Sequence, residues 1–136
     1  MCYLDNVTSV NFPRVSSVGT MGMYYCPSLK SVDLPACKYV GSSAFADCGS
    51  LSYVDIGNCM SVGSYAFAWT GLKTFYHNVQ YMGNYAFGGT SLSSFTGYGS
   101  SLPQYAFAYC YSLSKASFPY LRSIASSAFT GCYRLS

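Results

Sequence analysis

Apolar residues return at a fixed place in successive stretches of about 20 residues along this chain. An Ala-Phe pair marks that place most clearly, and it recurs at intervals of 22, 20, 20 and 22 residues. The pairs are Ala44-Phe45, Ala66-Phe67, Ala86-Phe87, Ala106-Phe107 and Ala128-Phe129, and Gly22-Met23 stands one interval earlier. Repeats of this length are typical of solenoids, in which each repeat forms one coil that stacks on its neighbours.

The register of the Ala-Phe pairs divides the chain into repeat units, each of which starts with an apolar residue. Six units begin at Val7, Leu29, Leu51, Leu72, Leu92 and Leu113, and a seventh begins at Leu135. We expect residues 1–136 to form a single array. Both ends fall inside the repeat pattern without a polar capping segment, so we also expect the chain to be an excerpt of a longer protein.

Each unit continues with a short alternation of apolar and polar residues. In the third unit, Val54 and Ile56 alternate with Tyr53 and Asp55, which is the period-two pattern of a half-buried strand. A Gly-rich segment with Ser or Asn, such as Gly63-Ser-Tyr, then precedes the Ala-Phe pair and predicts a turn. Every coil should therefore contain a strand with one inward face, followed by a turn.

The third unit also matches the leucine-rich-repeat pattern L-x-x-L-x-L-x-x-(N/C)-x-x-L. Its positions are filled by Leu51, Val54, Ile56, Cys59 and Val62. With the added Ala-Phe-x-x-Cys-x-x-Leu of residues 44–51, the unit resembles the BspA-like group of leucine-rich repeats, and the resemblance covers essentially the whole chain. It implies a leucine-rich-repeat solenoid with a parallel β-sheet on the concave side and short helical turns or loops on the convex side. It also implies a non-enzymatic binding surface, of the kind used in adhesion to host proteins or other cells.

Two units depart from the pattern. Those beginning at Leu72 and Leu92 are one residue shorter between the leading leucine and the turn, and Thr70 and Thr90 replace the cysteine found after Phe in other units. We expect neighbouring coils to share the shortening, because a coil that narrows alone leaves its neighbour unpaired. His77 lies in the shortened strand, where a structural role is favoured over a ligand role for a lone imidazole.

The outward strand positions give the candidate binding site. Small hydroxyls, two aspartates and two tyrosines occupy this face, which suits a protein or carbohydrate contact, although small polar residues also simply keep a sheet face hydrated. Parallel stacking places Asp33 and Asp55 one strand spacing apart, either as a solvated pair or as a receptor for a cationic group. The candidate ligand-binding residues are Ser31, Asp33, Tyr53, Asp55, Thr74, Tyr76, Thr96 and Lys115.

Aromatic residues recur at two further repeat positions. One precedes the Ala-Phe pair, and the other lies two residues after the Phe. Such columns favour packing between repeats, but exposed rings would form an adhesive stripe for self-association. The two columns are Tyr65, Tyr85 and Tyr105, and Tyr25, Trp69 and Tyr109.

The seven cysteines and the few acids do not indicate a chemical centre. Six cysteines hold inward repeat positions where Val or Thr substitutes, so packed thiols are favoured, with a Cys37–Cys59 cross-link as the alternative. The chain has no C-x-x-C and only one histidine, which argues against a metal or cofactor. It has no Glu and only four Asp, and no nucleophile with an oriented base is evident, which argues against an enzyme.

Composition narrows the remaining classes of function. A hydrophobic content of 51% with 8% charged residues excludes disorder, and the net charge of +3 is too dispersed for nucleic acid. No apolar run reaches membrane-spanning length, so membrane insertion is not expected, and residues 1–3 are not a signal peptide. We therefore expect a module on a cell surface, in the extracellular space or on a virion, whose strand face binds a host or cell-surface protein or a glycan. The alternative is a structural spacer or fibre segment, as in a phage appendage, that self-associates through its repeat ends or aromatic columns.

Overall fold

Residues 4–136 of the chain, as described by a computed structural model, form one stack of coils built from short strands and turns. The predicted array also includes residues 1–3, which lie outside the described range. Most coils contain a three-residue strand followed by a two-residue strand. The strands are β1 (Ser9–Asn11), β2 (Ser17–Val18), β3 (Ser31–Asp33), β4 (Tyr39–Val40), β5 (Tyr53–Asp55), β6 (Ser61–Val62), β7 (Tyr81–Met82), β8 (Ser94–Thr96), β9 (Ser101–Leu102), β10 (Lys115–Ser117) and β11 (Ser123–Ile124).

The strands pair in parallel with the equivalent strands of the next coil, which confirms the predicted solenoid. The three-residue strands form the sheets β1-β3-β5 and β8-β10, and the two-residue strands form β2-β4-β6-β7 and β9-β11. The register advances by one whole repeat at each step: Val10 pairs with Val32, and Val32 with Val54. The repeat spacing in the sequence therefore fixes which residues are neighbours along the stack.

One prediction is wrong in the fourth unit. The sequence pattern predicts a strand that carries Thr74 and Tyr76, but residues 72–80 contain no strand. This unit is one residue shorter, and the His77 ring lies against the edge of β5. Its Nε2 is 2.9 Å from the Val54 carbonyl oxygen, and its Nδ1 is 3.2 Å from that of Gly57. The His77 side chain thus contacts the carbonyls that a strand of the fourth coil would otherwise bond. The sheet of three-residue strands is interrupted there.

The core is a column of phenylalanine rings that runs along the stack. Phe45, Phe67, Phe87 and Phe107 are fully buried, with successive ring centroids 5.4 to 5.6 Å apart and nearly parallel planes. A second set of rings, including Phe75, packs against this column from the strand side. Burying each such side chain contributes about 1.5–3 kcal/mol, so the column is a main source of stability.

The side of each coil opposite the three-residue strands consists of consecutive turns, and residues 4–136 contain no helix. In the first full unit the amides of Met21, Met23 and Tyr25 donate to carbonyls of the next coil at 2.8 to 2.9 Å. Equivalent bonds recur along the stack. They require two residues per unit with left-handed backbone angles, and most of these are not glycine: Met21, Tyr25, Ser43, Asp47, Tyr65, Trp69, Tyr85, Tyr105, Tyr109 and Ser127.

The cysteine or threonine that lies three residues after the Phe donates a hydrogen bond to a buried carbonyl. The Cys110 thiol donates to the Phe87 carbonyl of the preceding coil at 3.1 Å. The Thr70 hydroxyl instead donates to the Phe67 carbonyl of its own coil at 2.8 Å. Packed free thiols are confirmed for four buried cysteines and for the half-buried Cys132, whereas Cys26 is disulfide-bonded and departs from that expectation. The four buried free thiols are Cys37, Cys48, Cys59 and Cys110.

The predicted Cys37–Cys59 neighbours lie close together but are not cross-linked. Each thiol donates to a backbone carbonyl of its own coil, Cys37 to Tyr39 at 3.4 Å and Cys59 to Ser61 at 3.3 Å. The contact with the Cys59 thiol lowers the pKa of Cys37 to about 7. The same contact, together with burial, raises the pKa of Cys59. The pair therefore packs in the core as two free thiols.

Candidate functional site

The outward residues of β3 and β5 lie side by side, as the repeat predicts. Ser31 pairs with Tyr53, and Asp33 pairs with Asp55. On the far side of the interruption, Lys115 pairs with Ser94. The alternation of inward and outward side chains thus produces a polar face, with Val32 and Val54 buried beneath it.

The interruption of the sheet at the fourth unit creates a groove on this face, which we call the first groove. It has a volume of about 270 Å³ and a buried floor made by Val54 and Phe75. Its polar lining combines hydroxyl groups, one carboxylate and one imidazole. These side chains are Ser52, Tyr53, Asp55, Thr74, Tyr76 and His77.

A second groove lies on the other side of Tyr76, with a volume of about 200 Å³ and a floor made by Phe75 and Phe95. Tyr76 and His77 line both grooves, and Tyr76 is 88% exposed. The remaining lining of the second groove comes from Ser94, Thr96 and Tyr98. Tyr76 therefore forms a ridge between two adjacent depressions.

Two groups in the first groove are held in fixed orientations. One carboxylate oxygen of Asp55 accepts the backbone amide of Gly57 at 2.8 Å. Both ring nitrogens of His77 face backbone carbonyl oxygens, and the edge of the ring lies against Phe75 with centroids 5.2 Å apart. The imidazole is thus used in holding the two coils together, which agrees with the structural role predicted for it.

The structure brings together five of the eight predicted site residues. Tyr53, Asp55, Thr74 and Tyr76 line the first groove, and Thr96 joins Tyr76 in the second. The other three line neither groove, although they lie on strands of the same face: Ser31, Asp33 and Lys115.

Sequence reasoning missed the contributions of Ser52, His77 and Tyr98 to the grooves. Ser52 and Tyr98 lie just outside the strand positions from which the candidates were taken. The signal that could have found the grooves is His77, which stands at the repeat position that Leu34 and Ile56 hold in the second and third units. An imidazole at that position contacts the carbonyls of the preceding coil, so the strand ladder is interrupted and space is left on the sheet face.

The aromatic columns pack between coils, as predicted, except at Tyr25, whose ring contact among the described residues is with Tyr24 of its own coil. The Tyr65, Tyr85 and Tyr105 rings are stacked with centroids 4.8 and 4.6 Å apart. Desolvation by the neighbouring rings raises the pKa of Tyr85, and the adjacent phenols Tyr105 and Tyr65 add to this effect. Trp69 stacks with Tyr109 at 6.1 Å across the glycine of the intervening coil.

The available chemistry on the strand face is hydrogen bonding and ring stacking. Within residues 4–136, no group of three or more His, Cys, Asp or Glu is placed to hold a metal ion. The same part of the chain contains no helix of the length and hydropathy needed to cross a membrane.

Comparison with known proteins identifies the same repeat. A family model described as "BspA type Leucine rich repeat region" matches six copies, over residues 1–101 and 100–136. No curated protein sequence matches the chain.

Two solved structures share the fold. A leucine-rich repeat protein from Bacteroides ovatus superposes with a TM-score of 0.84 and 24% identity over 93% of this chain. The T. pallidum leucine-rich repeat protein superposes with a TM-score of 0.71 and 22% identity over 95% of this chain and 78% of its own. The chain spans 38% of the length of the Bacteroides ovatus protein.

Proposed function

Since this chain belongs to the BspA-type leucine-rich-repeat family, we propose that it is a non-enzymatic recognition module. Its strand face binds a host or cell-surface protein or a glycan, and the chain acts outside the cell, on a cell surface or on a virion. Solenoids of stacked repeats offer extended surfaces of this kind to their partners.

The observation that carries this proposal is the pair of grooves on either side of Tyr76. They are the place where the polar face departs from a regular sheet, and they combine buried apolar floors with exposed hydroxyls and one oriented carboxylate. Binding sites commonly pair an apolar surface with a few placed polar groups. A sheet face that only keeps the protein hydrated does not need such depressions.

The test is a binding screen of the folded chain against arrays of glycans and extracellular-matrix proteins. A triple variant, Tyr53→Ser, Asp55→Ser and Tyr76→Ser, is screened in parallel. The matched control is Ser9→Ala with Asn11→Ala, which changes exposed positions of β1 on the same face but outside the grooves. Loss of a ligand in the triple variant and its retention in the control supports the proposal. Retention in both refutes the strand face as the binding surface.

A structural spacer or fibre segment that self-associates is the second candidate, and the exposed aromatic residues favour it. Trp69, Tyr111 and Tyr133 are 44%, 55% and 84% exposed, and Tyr111 stacks on Tyr133 with centroids 6.0 Å apart. Exposed aromatic surface favours association. Sedimentation velocity over a range of concentrations tests this candidate: association abolished by Tyr111→Ser with Tyr133→Ser supports it, and a monomer at all concentrations rejects it.

A further inference from the structure

We infer that the two grooves bind adjacent units of one neutral oligosaccharide, which crosses the ridge formed by Tyr76. The inference rests on the proposed function and specifies its ligand. It follows from the hydrogen-bonding groups, the charge, the shape and the rigidity of the two grooves.

The hydrogen-bonding groups suit a ligand that carries many hydroxyls. Tyr53, Thr74 and Tyr76 bring hydroxyl groups to the first groove, and each can both donate and accept. The Ser52 hydroxyl already donates to the Lys30 carbonyl and can accept. The carboxylate of Asp55 only accepts, and it is held in place by the Gly57 amide. Sugar hydroxyls likewise donate and accept, so they can satisfy this mixed set, and a bond to a carboxylate is stronger than one between neutral groups.

The charge of the grooves selects against ionic ligands. Asp55 is the one charged side chain of the first groove, and the second groove is lined by neutral side chains together with His77. Neither lining includes a lysine or arginine, and both His77 nitrogens are engaged by backbone carbonyls. An anionic ligand would therefore meet the Asp55 carboxylate without a lysine or arginine to offset the repulsion. A polycationic ligand would find no acid in the second groove.

The shape of the grooves suits two small units rather than one large ligand. Volumes of about 270 and 200 Å³ fall below the roughly 300–1,000 Å³ typical of sites for drug-sized ligands. Tyr53 and Tyr76 are exposed beside them, and tyrosine offers an apolar ring surface together with a polar hydroxyl. A pyranose matches this arrangement, because its C–H face is apolar and its rim is polar.

The floor of both grooves is fixed by the core. Phe75 is buried, stacks on Phe95 with centroids 5.6 Å apart, and meets Phe87 edge-on at 4.8 Å. Since Tyr76 follows Phe75 directly, the backbone that carries the ridge is anchored from below. A site that is already ordered loses little conformational entropy when it binds, which favours recognition of a small neutral ligand.

The experiment is calorimetric titration of the full chain with neutral oligosaccharides selected on an array that also displays sialylated, sulfated and amino-sugar glycans. We expect neutral glycans to bind, and we expect a disaccharide or longer ligand to bind at least tenfold more tightly than its monosaccharide. Tyr76→Ala and Asp55→Asn should each weaken binding about tenfold or more. The matched control Asp33→Asn, on the paired strand but outside both grooves, should change affinity less than twofold.

The outcomes separate this inference from the proposed function. A protein ligand that is lost in the triple variant but not displaced by neutral oligosaccharides overturns the sugar assignment and leaves strand-face recognition intact. A preference for anionic or cationic glycans also overturns the inference. Retention of every ligand by the triple variant overturns both. Far-ultraviolet circular dichroism and the emission of Trp69, which does not line either groove, verify that each variant is folded.

Discussion

Replacing the two core threonines by valine should have unequal effects on stability. Thr70 and Thr90 occupy equivalent repeat positions and are equally buried. Within the described residues, the donor to the Phe67 carbonyl is the Thr70 hydroxyl, at 2.8 Å. The Phe87 carbonyl accepts the Thr90 hydroxyl at 2.9 Å, the Cys110 thiol at 3.1 Å and, at 3.4 Å, the Thr90 backbone amide.

The difference in donors sets the expected magnitudes. Thr70→Val retains the shape of the side chain but leaves a buried carbonyl without a donor, which costs about 1–3 kcal/mol of unfolding free energy. Thr90→Val removes one hydrogen bond but leaves the Phe87 carbonyl bonded to the thiol, so its cost should be about 0.5–1.5 kcal/mol. We therefore expect Thr70→Val to be the more destabilising by about 1 kcal/mol.

Equilibrium urea denaturation measures both losses, provided that the dependence of free energy on denaturant is unchanged between variants. The decisive comparison adds Cys110→Ala to Thr90→Val. With the thiol removed, Thr90→Val should become more costly and approach Thr70→Val, since the Phe87 carbonyl then keeps only the long bond from the backbone amide of residue 90. Equal costs in the two single variants, or an additive effect of Cys110→Ala, would refute the idea that the thiol compensates for the hydroxyl.

Three further perturbations test other parts of the structure. Burial raises the pKa of Cys110 from 9.0 to about 11, so the native protein retains this proton where the unfolded chain releases it. Unfolding free energy should then be highest below pH 9 and fall between pH 9 and 11, by at most about 1.4 kcal/mol per pH unit from this thiol. Cys110→Thr should flatten that slope in denaturation curves, and an unchanged slope would contradict the assignment. Gly89→Ala should cost about 2–4 kcal/mol and shift the emission of Trp69, because Gly89 has a φ of +68° and an added Cβ overlaps the indole ring. Gly49→Ala, where a Cβ meets nothing within 4 Å, is the control, and we expect it to stay within about 0.5 kcal/mol. His77→Ala should cost about 1–3 kcal/mol and speed amide hydrogen exchange in β5, and unaltered exchange there would mean that the ring does not hold the strand edge.

The repeat made most of the fold predictable, because stacking converts sequence spacing into spatial neighbours. Once Val32 and Val54 are assigned to the same repeat position, their pairing and burial follow, as does the pairing of Asp33 with Asp55. The same reasoning placed Thr70 and Thr90 inside, at the position of the sister cysteines. One coil alone does not establish which residues face inward, whereas six aligned copies of the repeat do.

The grooves could not be predicted in the same way, because they arise where the repeat fails. The alternation of Thr74, Phe75 and Tyr76 has the period of a strand, and Phe75 is indeed buried while its neighbours face outward. Pairing, however, also requires a matching path for the backbone of the next coil. The backbone of the fourth unit does not follow such a path, although the equally short fifth unit forms β8, and the side chain of His77 contacts the strand edge instead.

The left-handed backbone conformation of the outer turns has an energetic cost. A non-glycine residue in this conformation is destabilised by about 1–2 kcal/mol, and most units carry two of them. The bonds that these residues make to the next coil offset that cost only while the coils remain stacked.

Those same bonds also align peptide dipoles along the axis of the stack. The donors Met21, Phe45 and Phe67 all belong to the earlier coil of each pair, and the accepting carbonyls all belong to the later one. The peptide dipoles of these bonded amides therefore point the same way, whereas dipoles across an ordinary sheet largely cancel. The turn side of the molecule thus carries a cumulative field with its positive end toward the later coils, and a coil stacked in the reverse orientation would meet like-charged ends rather than partners.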